Sequence, residues 1–497
     1  MKKAEAIIKQ YEEALSVKDH WREKFEEAYE YCLPNRESFY EESPGQRRTD
    51  KIFDETAVVG VQEFASRLQA GIVPTFARWA DFQAGVEIPE DQKPQVNLEL
   101  DQITDYVFEV IQSSNFNQEI HECFMDLAVG TGCMLVEEGD AVNPIKFTSV
   151  PLPKVCLMNG PDGKVDTIYR TRKVKPEHIM ILYPKAIMPE NFDLMRQKEC
   201  TIIEAVYKVY EQNVEKYKFC VVLKEMKEII FEEIYKGEGS NPYLVFRWNK
   251  ASGEVYGRGP IFNAIGAIKT CNLTIELILQ NAQMAVSGVY TYEDDGVINP
   301  DNIALVPGSL IPVAPGSRGL NPISAASNFD VAQLVLQDMR QNIKKALYME
   351  TLGRPEGTPM TATEVSERMA DLSRQIGSSF GRLQSELIHP LLKRIIRILS
   401  AQGRIELPKV KVAARSPLAK AQHLQDVADV NRFNEILAGT FGPQMINIIM
   451  NQNEVAKYIA GKMNLPEKLI RDQEEQQQIV QQISQLNQSA GEGEIPQ

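Results

Sequence analysis

Through about the first 130 residues, apolar side chains recur at steps of three and four, the spacing of an amphipathic helix. Ile7, Tyr11 and Phe25, for example, share one face of an otherwise charged segment that Pro34 ends. The pattern predicts a group of N-terminal helices, at about residues 4–33, 55–70, 96–113 and 116–128.

The pattern changes after residue 130, where short runs of β-branched and aromatic residues replace the helical spacing. Asp162-Gly163 is a typical hairpin-turn dipeptide. A helix at about 176–195 is predicted to interrupt this region. We therefore expect an antiparallel meander, with strands at about 133–136, 146–150, 167–171, 202–210, 217–223, 228–234 and 243–248.

Beyond residue 260 the helical spacing returns. The segment from Ile261 to about Val286 is apolar on more than one face, so we expect it to pack between neighbouring elements. The proline-rich insert at 287–328 is too long for a plain loop in a compact domain and should contain strands of its own. A second helix is predicted at about 329–349.

A Gly/Pro-rich loop at 353–359 precedes the best-marked helix of the chain. Thr361 and Glu364 form a capping box at its start, and apolar residues at helical steps carry it to near Gly403. His389-Pro390 lies inside this pattern. Because proline lacks a backbone N–H, we predict a kink there.

Composition narrows the class of protein. The 497 residues are 43% hydrophobic and 25% charged, ordinary globular values, although the Gln-rich tail at 471–497 is expected to be disordered. The formal net charge of −14 opposes a sequence-independent grip on DNA. No uninterrupted apolar run approaches a membrane span, and the charged start, 1–6, lacks the apolar core of a secretory signal. Seven scattered cysteines without a CxxC pair indicate reduced thiols in an intracellular product.

Motifs for catalysis or cofactor binding are missing from the sequence. There is no Walker loop, and the five histidines have no metal-ligand spacing, so we expect neither a metal nor another cofactor. We interpret the lone Gly257-Arg258-Gly259 as a turn before Pro260 at the start of a helix. Gly377-Ser378-Ser379-Phe380-Gly381 resembles a nucleophile elbow, but it lies inside a predicted helix. We interpret its glycines as sites of close helix packing.

One group of cations has two open interpretations. Arg340 and Lys344 are four residues apart on one predicted helix face, Lys345 lies beside them, and Arg354 follows in the Gly/Pro loop. They could form a solvated face near a helix C-terminus, where cations suit the helix dipole. Alternatively, they contact an anionic polymer.

The order of these elements, taken with four residue strings, resembles the portal, or head-to-tail connector, of short-tailed (podovirus) phages. The first string resembles the family's "YGRS/YGRG" entry to a stem helix, the second and third its "TAxEI…LxxELxxPLV" long helix, and the fourth a β segment ahead of them. The resemblance covers about residues 5–480. The strings are Val255-Tyr256-Gly257-Arg258-Gly259-Pro260, Thr361-Ala362-Thr363-Glu364-Val365, Leu383-Gln384-Ser385-Glu386-Leu387-Ile388-His389-Pro390-Leu391, and Val155 to Val174.

The resemblance implies an α+β, mainly helical chain with a portal-type fold that assembles as a ring. The implied partition is 1–256 as the wing (N-terminal helices, then an antiparallel β meander), 257–287 as the first stem helix, 288–328 as the clip, 329–350 as the second stem helix, 351–360 as the tunnel loop, 361–403 as the long kinked wing helix, and 404–497 as the crown region with the Gln-rich tail.

The resemblance further implies a non-enzymatic DNA conduit: a ring of about twelve subunits at one capsid vertex, assembled in the host cytoplasm and retained in the virion. Its implied partners are double-stranded DNA in transit, the terminase, a tail adaptor protein, and the major capsid and scaffolding proteins, with no membrane. Arg340, Lys344, Lys345 and Arg354 are then candidates for the channel surface.

Two alternatives remain open. The chain could be an intracellular α+β enzyme with an unrecognised site in the β meander, which predicts a pocket lined by perturbed carboxylates. It could also be a different phage scaffold or adaptor protein. The Gly/Pro loop at 351–360, flanked by two long helices, favours the portal over both.

Overall fold

The computed structural model of the chain describes residues 3–40, 49–85, 88–89, 92–189, 192, 199–211, 214–287, 290–291, 321–322, 329–349, 375–406, 410–414, 417–442 and 449–463. Its helices are α1 Lys3–Cys32, α2 Thr56–Ile72, α3 Lys93–Ser113, α4 Phe116–Val129, α5 Pro176–Leu182, α6 Pro260–Ser287, α7 Phe329–Ala346, α8 Gly377–Leu383, α9 His389–Ala401, α10 Pro417–Phe441 and α11 Gln452–Met463.

The strands are β1 Ala80–Ala84, β2 Thr131–Glu138, β3 Ile145–Ser149, β4 Val155–Asn159, β5 Val165–Val174, β6 Cys200–Glu211, β7 Val214–Leu223, β8 Glu228–Lys236, β9 Tyr243–Arg247, β10 Tyr290–Thr291, β11 Asn321–Pro322 and β12 Val410–Ala414. They pair antiparallel in sheets of order β4-β5-β6-β7-β8, β3-β2-β9, β1-β12 and β10-β11. The predicted combination of helices with an antiparallel meander is confirmed.

Helix α1 joins the N-terminal helices to the largest sheet. Its first half buries Ile7 and Tyr11 against that sheet, and its second half buries Phe25 and Tyr29 in the main core with α2 and α4. Each such side chain contributes about 1.5–3 kcal/mol on burial. The Tyr29 hydroxyl donates to Asp126 Oδ1 on α4 at 2.6 Å, so a hydrogen bond as well as apolar packing holds α1 against α4.

The meander agrees with the sequence except at one helix. The Asp162-Gly163 turn joins β4 to β5, and Gly163 has φ +68°, which glycine adopts without a steric penalty. The helix predicted to reach residue 195 is wrong in length, since α5 ends at Leu182. Tyr183 precedes Pro184, and the residue before a proline is pushed out of the helical region.

Helices α6 and α7 form a hairpin that carries the insert. Of the insert the structure describes only β10 and β11, which pair with each other, so strands within it are confirmed there. Among the described helices, Pro260–Gln283 of α6 is long and apolar enough to cross a membrane by length and composition alone, and 28% of its most apolar window is buried. A helix at a subunit interface would have the same character.

The β1–β12 ribbon was not predicted from the sequence. It pairs Ala80 with Ala414 and Ala84 with Val410, which ties the chain after α9 back to the N-terminal helices. Side chains of α3 satisfy the other edge of β1: Thr104 Oγ1 accepts from Phe82 N at 3.3 Å, and Asn97 Oδ1 accepts from Ala84 N at 2.9 Å.

The long helix is interrupted where a kink was predicted. Residues Gln384–Ile388 form a π-helical turn between α8 and α9. Pro390 has no N–H to donate to the carbonyl four residues earlier, which explains why the α-helical pattern fails at this point. The capping box at Thr361 and Glu364 and the tail at 471–497 lie outside the described residues.

The interpretation of Gly377 and Gly381 as close-packing glycines is wrong within one chain. A Cβ added at either position would meet nothing within 4 Å. The helix instead packs through Ser379, Phe380 and Leu383, which are buried.

All seven thiols of the chain are free and buried. Burial raises the pKa of Cys32 and of Cys133 to about 12, so both are protonated thiols at neutral pH. We therefore expect a thiol reagent at pH 8 to label fewer than about one cysteine per native chain, and all seven after unfolding in guanidinium.

The exposed Leu98 offers a positive control, because Leu98→Cys should add one rapidly labelled thiol to the native count. Rapid labelling of two or more cysteines in the native wild-type chain would contradict the burial of the thiols.

Candidate functional site

The predicted cation face lies on α7, and its members have different surroundings. This helix buries Leu336 and Ile343 against α6 and turns a polar side outward. The side chains of Lys344 and Lys345 are exposed, and neither ammonium group forms an ion pair or hydrogen bond with a described residue. Arg354 lies outside the described residues.

Arg340 is already paired within the chain. Its Nε donates to Oδ2 of Asp54 at 2.7 Å, and the Asp54 side chain is almost fully buried. Burial alone would raise the pKa of Asp54, but hydrogen bonds from Thr56 and Arg340 outweigh it and lower that pKa. Arg340 therefore attaches α7 to the segment before α2.

The same segment also holds α6. Asn272 is buried in the apolar helix, and its Oδ1 accepts from Phe53 N at 2.7 Å and from Asp54 N at 3.0 Å. Its Nδ2 donates to the Ile268 carbonyl at 2.9 Å, so the amide is satisfied on both sides. One turn of chain at Phe53–Asp54 thus fixes both helices of the hairpin.

The C-terminus of α7 is closed by a Schellman motif. Met349 N donates to the Lys344 carbonyl at 2.8 Å and Tyr348 N to the Lys345 carbonyl at 3.1 Å. The C′ position, commonly glycine, is Tyr348 with φ +56°. A tyrosine in this region is strained by about 1 kcal/mol relative to glycine, so its side chain must be held by its surroundings.

Contacts with the body hold Tyr348 in place. Its ring lies 5.7 Å from that of Trp248 and 6.4 Å from that of Phe64, centroid to centroid. Arg67 Nη1 donates to the Tyr348 carbonyl at 2.9 Å. The end of the helix also packs closely on Gly60 of α2, where a Cβ would meet Leu347 Cδ1 at 2.6 Å and displace that side chain.

The Gly257-Arg258-Gly259 sequence leads into Pro260, the first residue of α6, as predicted. The predicted turn is wrong, because Arg258 instead forms an isolated antiparallel bridge with Asn249. A Cβ at Gly257 would lie 2.2 Å from the Gly130 carbonyl, and one at Gly259 would lie 2.0 Å from the Ala128 carbonyl. These glycines serve close backbone approach between the start of α6 and the end of α4.

One outward stripe of the hairpin is apolar. Leu273 and Leu277 on α6 are 57% and 55% exposed, one helical turn apart. Leu279 of α6 and Leu334 of α7 are also more than half exposed. Leu273 and Leu277 thus form a short apolar stripe exposed on one face of α6.

The most conspicuous buried charge in the β meander is Glu204. It lies 3.2 Å from Arg172 and 3.7 Å from Arg170, and it accepts hydrogen bonds from Tyr183 and Tyr243. Burial, and then the charge of Glu204, raise the pKa of both tyrosines. This carboxylate is saturated with donors, which is typical of a structural network rather than of a general base.

A cavity of about 440 Å³ lies outside the meander, at the C-terminal end of α2. Its lining carries no titratable group and consists of Ser66, Gln69, Ala70, Pro74, Thr75, Phe76 and Ala77. Within the described part of the chain, no group of three His, Cys, Asp or Glu side chains could hold a metal ion. Neither observation supports the pocket that the enzyme alternative predicts.

Sequence reasoning found the cations but missed the partner of Arg340 and the contacts that fix the hairpin. The local signal for Asp54 was its position just in front of α2, where an aspartate commonly accepts from the first helical N–H groups. Its Oδ1 does accept from Thr56 N, at 2.8 Å. Asn272 was visible as a polar residue within an apolar helix. The conformation of Tyr348 had no signal, because tyrosine is uncommon at positive φ.

The chain resembles known phage proteins over nearly all of its length. A probable portal protein of Bordetella phage BPP-1 is 22% identical over 538 aligned residues, covering 97% of this chain and 93% of the relative. The portal proteins of Salmonella phage epsilon15 and Escherichia phage T7 are 23% and 20% identical, covering 73% and 88% of this chain and 68% and 83% of those relatives.

Among solved structures, a chain in the neck of a native GTA particle aligns over 83% of this chain and 92% of its own length. The two are 12% identical with a TM-score of 0.39, which carries no weight in the assignment. The assignment depends on the family model described as "Bacteriophage head to tail connecting protein", which matches residues 4–470. The predicted resemblance is confirmed, and the chain belongs to the bacteriophage head-to-tail connecting protein family.

Proposed function

We propose that this chain is the portal of a phage capsid, a ring-shaped channel at one vertex through which DNA is packaged and later ejected. The observation that carries the proposal is the family match over residues 4–470, and the relatives from BPP-1, epsilon15 and T7 bear the name portal protein. The ring would dock the terminase during packaging and a tail adaptor protein afterwards. Scaffolding and major capsid proteins would be its partners during assembly in the host cytoplasm.

The α6–α7 hairpin is the proposed stem of each subunit. In this assignment residues 1–256 form the wing, 288–328 the clip, 351–360 the tunnel loop and 404–497 the crown region with its tail. The exposed leucines of α6 support a ring, because a neighbouring subunit seated on them would remove them from water. Such a contact is heterologous, and rings close when its rotation divides the circle.

The polar side of α7 is the proposed channel surface. Lys344 and Lys345 are exposed there. Arg340 instead forms an ion pair with Asp54 and also helps to hold α7 in place. A ring of about twelve chains would carry a formal charge of about −170, so most of its surface would repel DNA. Local lysine rings would then give weak, salt-screened contacts to phosphate, suited to a polymer that must slide.

Ring formation tests the leucine stripe. Leu273→Ser/Leu277→Ser should shift native mass spectra from rings of about twelve chains to small species, because each serine removes about 1.5–3 kcal/mol of apolar burial per contact. The matched control is Leu98→Ser/Leu182→Ser, which removes two exposed leucines elsewhere. Intact rings from the stem variant would exclude this stripe as the subunit interface.

Packaging tests the lysines. Lys344→Glu/Lys345→Glu should leave rings intact but lower the yield of DNA-filled particles by at least about tenfold when the variant replaces the phage's own portal, because phosphate would then meet like charge. Lys175→Glu/Lys185→Glu makes the same charge change at exposed positions on the meander and should package normally. Equal yields from both variants would remove the lysines from the channel surface.

Arg340→Glu should behave differently from the lysine variant. It leaves the buried carboxylate of Asp54 beside a second negative charge, so we expect lower stability, by about 1–3 kcal/mol, before any effect on DNA. Thermal unfolding should therefore show a lower Tm for Arg340→Glu than for Lys344→Glu/Lys345→Glu or Lys175→Glu/Lys185→Glu. An unchanged Tm for Arg340→Glu would show that the ion pair does not hold α7.

A further inference from the structure

Three parts of the chain that are distant in sequence meet at the tripeptide Arg247–Trp248–Asn249, here called the joint. It comprises the last residue of β9 and the two that follow. The side chains of Arg247 and Trp248 are buried, and the backbone is fixed because Thr131 pairs with Arg247 and Trp248 N donates to the Gly130 carbonyl at 2.9 Å.

The end of α7 packs against Trp248, the middle residue of the joint. The ring of Tyr348, in its left-handed conformation, packs against Trp248. At the end of α9, by contrast, the same Schellman motif has Gly403 with φ +67° at the equivalent position. At the end of α7 the strained conformation of Tyr348 is therefore accompanied by an aromatic contact with the joint.

The long helix forms hydrogen bonds with Arg247 and Asn249, the two outer residues of the joint. Ser379 Oγ, on a buried side chain, donates to Asn249 Oδ1 at 3.0 Å. Glu386, in the π-helical turn, accepts from Arg247 N at 3.0 Å, from Nε at 3.2 Å and from Nη2 at 2.6 Å. The wider turn thus presents one carboxylate to both the backbone and the guanidinium of the same residue.

The start of α6 is attached at the same place. Arg258 N donates to the Asn249 carbonyl at 2.7 Å, and Asn249 N donates back to the Arg258 carbonyl at 3.3 Å. Two residues later Pro260 begins α6. The joint therefore holds both helices of the hairpin and the long helix at once.

We propose that the joint is a positioning element that couples the end of α7 to α8 and the π-helical turn, so that a displacement of one is passed to the other. Tyr348, Ser379 and Glu386 have different partners within a single rigid tripeptide, which gives a contiguous physical route between them. The use of this coupling in moving DNA rests on the proposed function. The coupling itself is a property of the folded chain.

Hydrogen exchange of the full-length protein tests the coupling in one direction. Ser379→Ala should raise amide exchange at 343–349, to which the Ser379 hydroxyl makes no hydrogen bond, by roughly three- to tenfold, the factor that one lost neutral hydrogen bond gives. Ser385→Ala is the matched control, because its hydroxyl bonds only the local Arg382 carbonyl. It should leave exchange at 343–349 unchanged.

The reverse direction uses Tyr348→Gly, which relieves the strained φ but removes the ring from Trp248. Exchange should rise at 376–383 by a similar factor. Lys227→Gly is the matched control, since Lys227 also has a positive φ, 54°, in the turn between β7 and β8. If exchange rises only beside each substitution, the contacts are independent and the joint is overturned.

The same samples keep the two proposals apart. Native mass spectrometry of the wild-type protein that gave only monomers would overturn the portal assignment while leaving the exchange comparison valid. If the rings are intact and Ser379→Ala raises exchange at 343–349, this variant should also package shorter DNA than Ser385→Ala does. Normal packaging by Ser379→Ala, despite faster exchange at 343–349, would overturn the use of the joint in DNA movement.

Discussion

The buried carboxylate of Asp54 is the contact on which the attachment of the hairpin depends. Two helices that leave the body with apolar residues exposed must be held at their base, or they would pack against whatever apolar surface they met first. Asp54 accepts from Arg340 of α7, while its backbone N–H donates to Asn272 of α6. One residue thereby sets the position of both helices relative to α2.

Around this attachment the molecule is held by a continuous apolar core and by polar ties placed at its seams. Helix α1 crosses from the large sheet to the helical core, so neither can shift without uncovering the other. Asp126 and Glu204 lie at such seams, where buried charge is tolerated because cationic and hydroxyl donors surround it. These networks favour one arrangement of elements over other apolar packings.

Local patterns made much of this structure predictable. The helical spacing of Ile7, Tyr11 and Phe25 depends only on neighbours in sequence, and α1 was found within a residue at each end. Pro260 at the first position of α6 and Gly403 after α9 likewise mark helix ends through local stereochemistry. What failed depended on distant partners: β12 gives no hint that it pairs with β1, and spacing shows that Arg340 shares a face with Lys344 but not that Asp54 occupies it.

The β1–β12 ribbon imposes an order in time. Strand β1 leaves the ribosome roughly 330 residues before the strand that completes it, and at about 5–20 residues per second the delay is roughly 15–65 s. During that interval Asn97 and Thr104 protect only one edge of β1, and the other stays open to any extended chain nearby. Neighbouring nascent copies can thus mispair at this edge until β12 emerges.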